Sequence, residues 1–301
     1  MSGEQADMQV LQVDGREIVV TSPDKVLWPQ DGLTKTDLLD YYQAVAPAML
    51  PYLRDHPVTL RVFPGGIDRP GHYRRDLPKD APDWLPSATY SPASRAGELH
   101  PPLIPDAAAL LWYAERGAIE FHMWLATADR LEQPDWAVFD LDPGDEVDFP
   151  AVLEAALLVR DTLAAQGIDG YPKTSGGRGL HVFVPLEPVH DFAAVRDWVR
   201  GIAAQLAEEH PDQIAVAARG THEGQRVTVD HAQNSVARNT AAPYTARGHP
   251  GAPVSAPVTW DEVAAGTIRP DQFTLRTMPE RIQQLGDLWA PALNAPQRLP
   301  G

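Results

Sequence analysis

The sequence predicts a mixed α+β fold, and three observations carry that expectation. Strand-length apolar segments interleave with longer amphipathic segments of helical period. The most regular stretch, residues 136–209, reads as strand, helix, strand, strand, helix, the order of a split ferredoxin-like or RRM-like sheet. No internal repeat or low-complexity tract competes with a globular reading.

The elements follow in chain order. Gly15 to Val20 alternates and reads as an edge strand. Thr34-Lys35-Thr36-Asp37 opens LLDYYQAVAPAML, a capped amphipathic helix. Val58 to Val62 is a strand closed by the turn Pro64-Gly65-Gly66, and prolines between Pro78 and Pro105 mark a long irregular connection. Ala107 to Arg116 reads as a helix and Ile119 to Leu125 as a strand. The buried-strand pattern WAVFDLD, Trp136 to Asp142, leads into a helix from Phe149 to Gln166. Strands at Gly170 to Thr174 and Leu180 to Leu186 flank the loop Ser175-Gly176-Gly177-Arg178-Gly179. A helix from Asp191 to Glu209 and a strand from Arg226 to Asp230 complete the series. The chain holds 30 prolines, its C-terminal fifth is loop-rich, and the stretch after about Trp289 is expected to be a disordered tail.

Composition narrows the function classes. With 44% hydrophobic and 22% charged residues, the 301-residue chain suits one large domain or two closely joined ones. No apolar run approaches the roughly 18 residues of a membrane span, and MSGEQADMQV lacks the pattern of a signal peptide. No membrane partner is therefore expected, and the simplest location is cytoplasmic. Cysteine is absent, so any metal must bind through oxygen or histidine. The net charge of −16, from 25 basic and 41 acidic residues, opposes a nucleic-acid partner. Local charge can override it, because fields decay over about 8–10 Å at physiological salt. Thr59 to Lys79 carries Arg61, Arg69, Arg74, Arg75 and Lys79 against Asp68 and Asp76, and Arg219 to Arg247 carries four arginines against Glu223 and Asp230.

Three motifs carry chemistry. Asp140 and Asp142 are spaced i, i+2 on one strand, so their carboxylates share a face and repel unless a cation lies between them. Hard oxygen ligands favour Mg²⁺ or Mn²⁺; the plainer alternative is a strand end running into a solvated Asp-Pro-Gly turn. In KTSGGRGLH, glycine N–H groups, the Ser175 hydroxyl and the Arg178 fork suit an anion nest with His181 in reach. The alternative is a flexible hairpin with a core histidine. The strand Val227-Thr228-Val229-Asp230 offers a third carboxylate to a two-metal site.

FDLDPGD, KTSGGRGLHVFVPL and VTVDHAQNS, in that order and spacing, resemble the polymerase domain of bacterial DNA ligase D, in the archaeo-eukaryotic primase superfamily. The likeness extends through SPDKVLWP, LTKTDLLDYY, TWDEV and FTLRTMPERI, from about Val19 to Ile282. It implies a primase-polymerase fold in which a central RRM-like sheet, flanked by helices, joins a second N-terminal sheet. A single catalytic domain over 1–287 is expected, with a DNA-contacting part near 15–130, a metal- and nucleotide-binding part near 131–250, and a tail at 288–301. The implied activity is template-dependent nucleotide addition to primer 3′-ends at gaps or double-strand breaks, in end-joining repair.

By the same resemblance, Asp140, Asp142 and Asp230 hold two Mn²⁺ or Mg²⁺ ions, and Ser175, Gly176, Arg178, His181 and Arg247 surround an incoming NTP or dNTP. His122 falls near the nucleotide sugar and Arg61 at a basic position near the substrate. Lys25 and Lys35 match lysines that grip a 5′-phosphate across a gap, Lys35 at a helix start where backbone N–H groups are expected to be open. Ribonucleotide incorporation, a preference for Mn²⁺, nucleoid association, and a DNA ligase and an end-binding protein as partners are implied as well. Two departures stand out: His72-Tyr73 replaces an aromatic pair that stacks on template bases, and Glu223 stands where a basic residue is usual. No ligase or phosphoesterase module is expected within these residues. Two other readings compete, a metal-dependent nuclease and a catalytically weak end-binding or bridging module. The triphosphate loop argues against the first, and the full set of aspartates against the second.

Overall fold

Alternation along the strands decides what the two principal sheets bury and what they present. The structure, a computed structural model, describes residues 8–92, 97–217 and 224–300. Strands β1 (Met8–Val13) and β2 (Arg16–Thr21) form an antiparallel hairpin, and β3 (Val26–Trp28) with β4 (Leu33–Thr34) a short ribbon. Helix α1 (Lys35–Leu53) follows, then β5 (Val58–Val62), β6 (His72–Arg74), α2 (Ala107–Glu115) and β7 (Ala118–Trp124). Next come β8 (Trp136–Pro143), α3 (Phe149–Ala165), β9 (Tyr171–Thr174), β10 (Leu180–Pro185), α4 (Phe192–Glu209), β11 (Ile214–Val216) and β12 (Val227–Asp230). Strand β13 (Asn239–Ala241) and helices α5 (Trp260–Ala265) and α6 (Met278–Leu285) complete the series.

The larger sheet has the order β11-β12-β8-β10-β9. Within it β8, α3, β9, β10, α4 and β12 give the antiparallel order fourth-first-third-second of an RRM-like unit, and β11 joins β12 in parallel at the edge. The second sheet, β13-β7-β5-β6, is built mainly from the N-terminal part, as expected.

In β8, Phe139 packs edge-on against Trp198 of α4, so Ala137, Phe139 and Leu141 face the helices while Asp140 and Asp142 face away. In β7, Phe121 meets Tyr42 of α1, and Glu120 and His122 face away. Each sheet therefore carries helices on one face and presents polar side chains on the other. Among the described residues no helix is long and apolar enough to cross a membrane.

The stretch after Trp289 is not the loose tail that its prolines predict. Trp289 is 1% exposed, stacks on Trp136 with ring centroids 6.1 Å apart, and donates its indole N–H to the Pro172 carbonyl at 3.0 Å. Beyond a short 3₁₀ turn at Ala290–Asn294, the Gln297 backbone bonds with Pro185 and Glu187. A single large aromatic that finds a pocket between Tyr52, Trp136 and Phe183 overrides the local composition.

Candidate active site

Register sets the site. Across the larger sheet Asp230 is paired with Asp140, Asp140 with His181, and His181 with Lys173. Cross-strand partners share a face, so these four side chains form one transverse row. His181 Nε2 lies 3.1 Å from an Asp140 oxygen, and its Nδ1 lies 2.8 Å from Lys173 Nζ, which also donates to Ser255 Oγ at 2.6 Å. Burial, followed by the charge of Lys173, holds the His181 imidazole well below its usual range. Burial, followed by Arg247, does the same for the Lys173 ammonium.

A second row crosses the other sheet: Tyr73, Arg61 and Glu120 are successive cross-strand partners. Glu120 is fully buried and binds Arg61 at 3.1 Å, Arg247 at 3.1 Å, His122 Nε2 at 2.8 Å and the Gly248 N–H at 3.0 Å. Burial alone would raise its carboxyl, but these hydrogen bonds and the Arg247 charge drive it far below the usual carboxylate range. Burial lowers His122 in turn, outweighing the opposing pull of Glu120, so the neutral ring donates to the carboxylate.

The two polar faces meet at a cavity of about 720 Å³, lined by Asp140, Asp142, Ser175, Arg178, His181, Arg247, His122 and Tyr73, all expected from the sequence. Gly176 sits on the loop beside it in a left-handed conformation (φ 72°), and a Cβ there would lie 2.5 Å from Arg247 Cγ.

The loop differs from the expected nest. The Gly177 and Gly179 N–H groups, at 3.1 and 3.2 Å, are both spent on Ser175 Oγ. A hydroxyl accepting two such bonds has only its own O–H left, so Ser175 faces the cavity as a donor. Arg178, at the cavity rim, donates to the Gly144 carbonyl at 2.8 Å and lies 3.5 Å from Asp145.

Arg61 reaches the site through Glu120 and lies over the Phe63 and Tyr73 rings. Asp230 accepts the Ala232 N–H at 2.7 Å. His72 and Tyr73 are successive residues of β6, so strand alternation sets them on opposite faces. Glu223 and Arg219 lie outside the described residues.

Lys25 and Lys35 line a separate cavity of about 490 Å³, with Trp112, Glu115 and Arg116. Lys35 is buried against Glu115 at 3.1 Å and the Thr21 carbonyl at 2.6 Å, whereas Lys25 is exposed and bonded to the Pro64 carbonyl. The first N–H groups of α1 are not open as expected. Lys35 N–H and Thr36 N–H donate to the Lys25 and Pro23 carbonyls, and Asp37 N–H to the Thr34 cap. A phosphate in this cavity would meet side chains rather than the helix end.

Two central groups escaped the sequence reading. Glu120, a carboxylate inside the apolar strand AIEFHMW two residues before His122, carried a signal in its position. Lys173 stood in the recognised motif but had no assigned task.

The donor set fits divalent ions of the hard class. Among the described residues no three His, Asp or Glu side chains converge enough to cage an ion by themselves. An open shelf of carboxylates is nevertheless how Mg²⁺ is commonly held, with substrate phosphates and water completing its shell.

Residues 34–289 match the family model described as the LigD primase-polymerase domain. The chain belongs to that family. It is 36% identical over 282 residues to the multifunctional non-homologous end joining DNA repair protein LigD of Mycobacterium tuberculosis (strain ATCC 25618 / H37Rv), a match that covers 91% of this chain and 36% of that protein. It is 29% identical over 267 residues to the bifunctional LigD of Bacillus subtilis (strain 168), covering 88% of this chain and 42% of that protein. The chain thus spans between about a third and two fifths of the length of these relatives. Among solved structures, the polymerase domain of Mycobacterium tuberculosis ligase D in complex with DNA superposes with a TM-score of 0.84 at 34% identity, covering 92% of this chain and 98% of that one. The LigD primase-polymerase fold expected from the motifs is therefore the fold of this chain.

Proposed function

We propose that this chain is a template-directed nucleotidyltransferase that extends primer 3′-ends at gaps or breaks in DNA. The observation that carries the reading is that Asp140 and His181, cross-strand partners in a row that ends at Asp230, open with Asp142, Ser175 and Arg247 on one cavity large enough for a nucleotide. Asp140, Asp142 and Asp230 would hold two divalent ions. When bound, the ions neutralise the triphosphate and acidify the primer 3′-hydroxyl. The remaining work falls to the chain. Ser175 and His181 offer one hydrogen each to phosphate oxygens, and Arg247, anchored on Glu120, sets a fixed positive charge beside them. Tyr73, 55% exposed at the mouth, offers a ring face to a base.

Lys25 and Lys35 supply the second handle, a cationic cavity for the 5′-phosphate beyond the gap. Such a handle suits a repair polymerase working beside a ligase and an end-binding protein. Because the chain is acidic overall, this pocket contributes a large share of the attraction for broken DNA. Gap filling is expected to run roughly tenfold better with a downstream 5′-phosphate than with a 5′-hydroxyl, the worth of one charge-assisted contact of about 1.5 kcal/mol. Lys25→Ala should abolish that preference and leave extension of a simple primer-template intact. Lys25 is the better target, because removing Lys35 would strand the buried Glu115. Equal filling of both gap ends by the wild type would refute the 5′-phosphate handle.

A further inference from the structure

The row across the larger sheet has a fourth member that the proposed chemistry does not use. Lys173 of β9 is fully buried behind His181, away from the cavity wall. A methionine of similar length would fill the space without desolvating an amine. What Lys173 offers in exchange is a donor.

Its partners fix which way the hydrogens run. Ser255 donates its hydroxyl hydrogen to the Thr174 carbonyl at 2.9 Å, so it accepts from Nζ at 2.6 Å. A charged lysine has three hydrogens and no lone pair, so opposite the Lys173 ammonium His181 Nδ1 at 2.8 Å is the acceptor. The single hydrogen of a neutral imidazole is then on Nε2, the nitrogen that lies 3.1 Å from Asp140. The opposite tautomer would set a bare Nε2 lone pair against the carboxylate and against any phosphate oxygen entering the cavity.

We propose that Lys173 is a positioning residue whose Nζ–H, held by Ser255, locks His181 in the Nε2–H tautomer, so that the ring always meets the incoming triphosphate as a donor. The assignment rests on the reading of the cavity as a nucleotide site. Lys173 itself touches no substrate; it acts through His181, as a second-row partner fixes the ring of a metal-bound histidine.

The test is the nitrogen spectrum of the protein labelled with ¹⁵N-histidine, with the His181 signals identified by their loss in His181→Asn. The wild type should show a protonated Nε2 and a bare, hydrogen-bonded Nδ1. In Lys173→Met both signals should move toward the average of two exchanging tautomers. The nucleotide KM should rise about tenfold, the effect of one hydrogen bond, with kcat changed less than about threefold. Combined with His181→Ala, Lys173→Met should add little further loss, because both act on one contact. A protonated Nδ1 in the wild type would overturn the assignment, whether or not the variant folds. So would a folded Lys173→Met whose His181 signals match the wild type. The spectrum requires no polymerase activity, so failure of the wild type to extend primers would remove the functional reading and leave the tautomer result standing.

Discussion

Glu120 is the residue on which the second sheet's side of the cavity turns. Arg61, Arg247, His122 and Gly248 all converge on its carboxylate, with Arg247 also held by the Ser175 carbonyl of the opposite sheet. Glu120→Gln would leave two guanidinium groups short of an anionic partner, and about 3 kcal/mol of destabilisation at neutral pH is expected. The same residue predicts a pH dependence. Its folded carboxyl lies far below the ordinary value, so the unfolded state binds the proton more readily. Stability from this source is fully present above the unfolded value of about 4.3 and is lost as pH falls below it toward the folded value. Melting curves of wild type and Glu120→Gln should therefore lie a constant distance apart from pH 7 to about pH 5 and approach each other below about pH 4. A gap that widens in acid would contradict the assigned role. On the proposed function, in which His181 donates to the triphosphate, His181→Ala should raise the nucleotide KM more than it weakens DNA binding.

Among the elements, the junction of β8 and β10 is where geometry and chemistry are tied most tightly. Gly179 begins the return strand, and a Cβ there would lie 2.5 Å from the Leu141 carbonyl and 3.2 Å from Asp142 Oδ1. Gly179→Ala must spread the two strands beside Asp140 and Asp142, and if these act as proposed a displacement of about 1 Å costs up to about a hundredfold in rate. Gly177→Ala, whose Cβ would meet Ser175 Oγ at 3.4 Å, should lose much less. Steady-state rates of nucleotide addition with equal amounts of folded protein separate the two; equal losses would show that strand spacing is not what matters.

The long elements were legible because their period and caps are local. Thr34 with Asp37 forms the expected capping box of α1, and the strand-helix-strand-strand-helix run from Trp136 appears as read. The short strands β3, β6, β11 and β13 carried too few residues to show a period. Helix α5 was missed although its capping box, Thr259 with Glu262, lay within the quoted segment TWDEV. The carboxylates and the loop were legible as a motif. The rows Tyr73–Arg61–Glu120 and Lys173–His181–Asp140 were not, since cross-strand register joins residues far apart in sequence.

On the scale of the whole molecule, two sheets with helices outside and a polar cleft between them need a clamp that keeps their spacing. The C-terminal segment supplies part of it: Asp287 accepts from Tyr52 of α1 and from Tyr244, and Trp289 enters the aromatic cluster on the larger sheet. Trp289→Ala should cost about 3–5 kcal/mol, visible as a lower melting temperature. An unchanged melting temperature would mean that the segment is not part of the core. The net charge of −16 makes a further demand on the proposed function: affinity for DNA would have to come from local cationic sites and fall steeply with salt. The central claim is that this cleft adds nucleotides to a primer through Asp140 and Asp142, and it is tested most directly by primer extension on gapped DNA with Mn²⁺ or Mg²⁺ and all four nucleotides. Wild type should add template-matched nucleotides across the gap, and Asp140→Ala/Asp142→Ala, folded to the same degree, should add none above background. Extension by that double variant within tenfold of wild type, or none by wild type with either ion and either sugar, would contradict it.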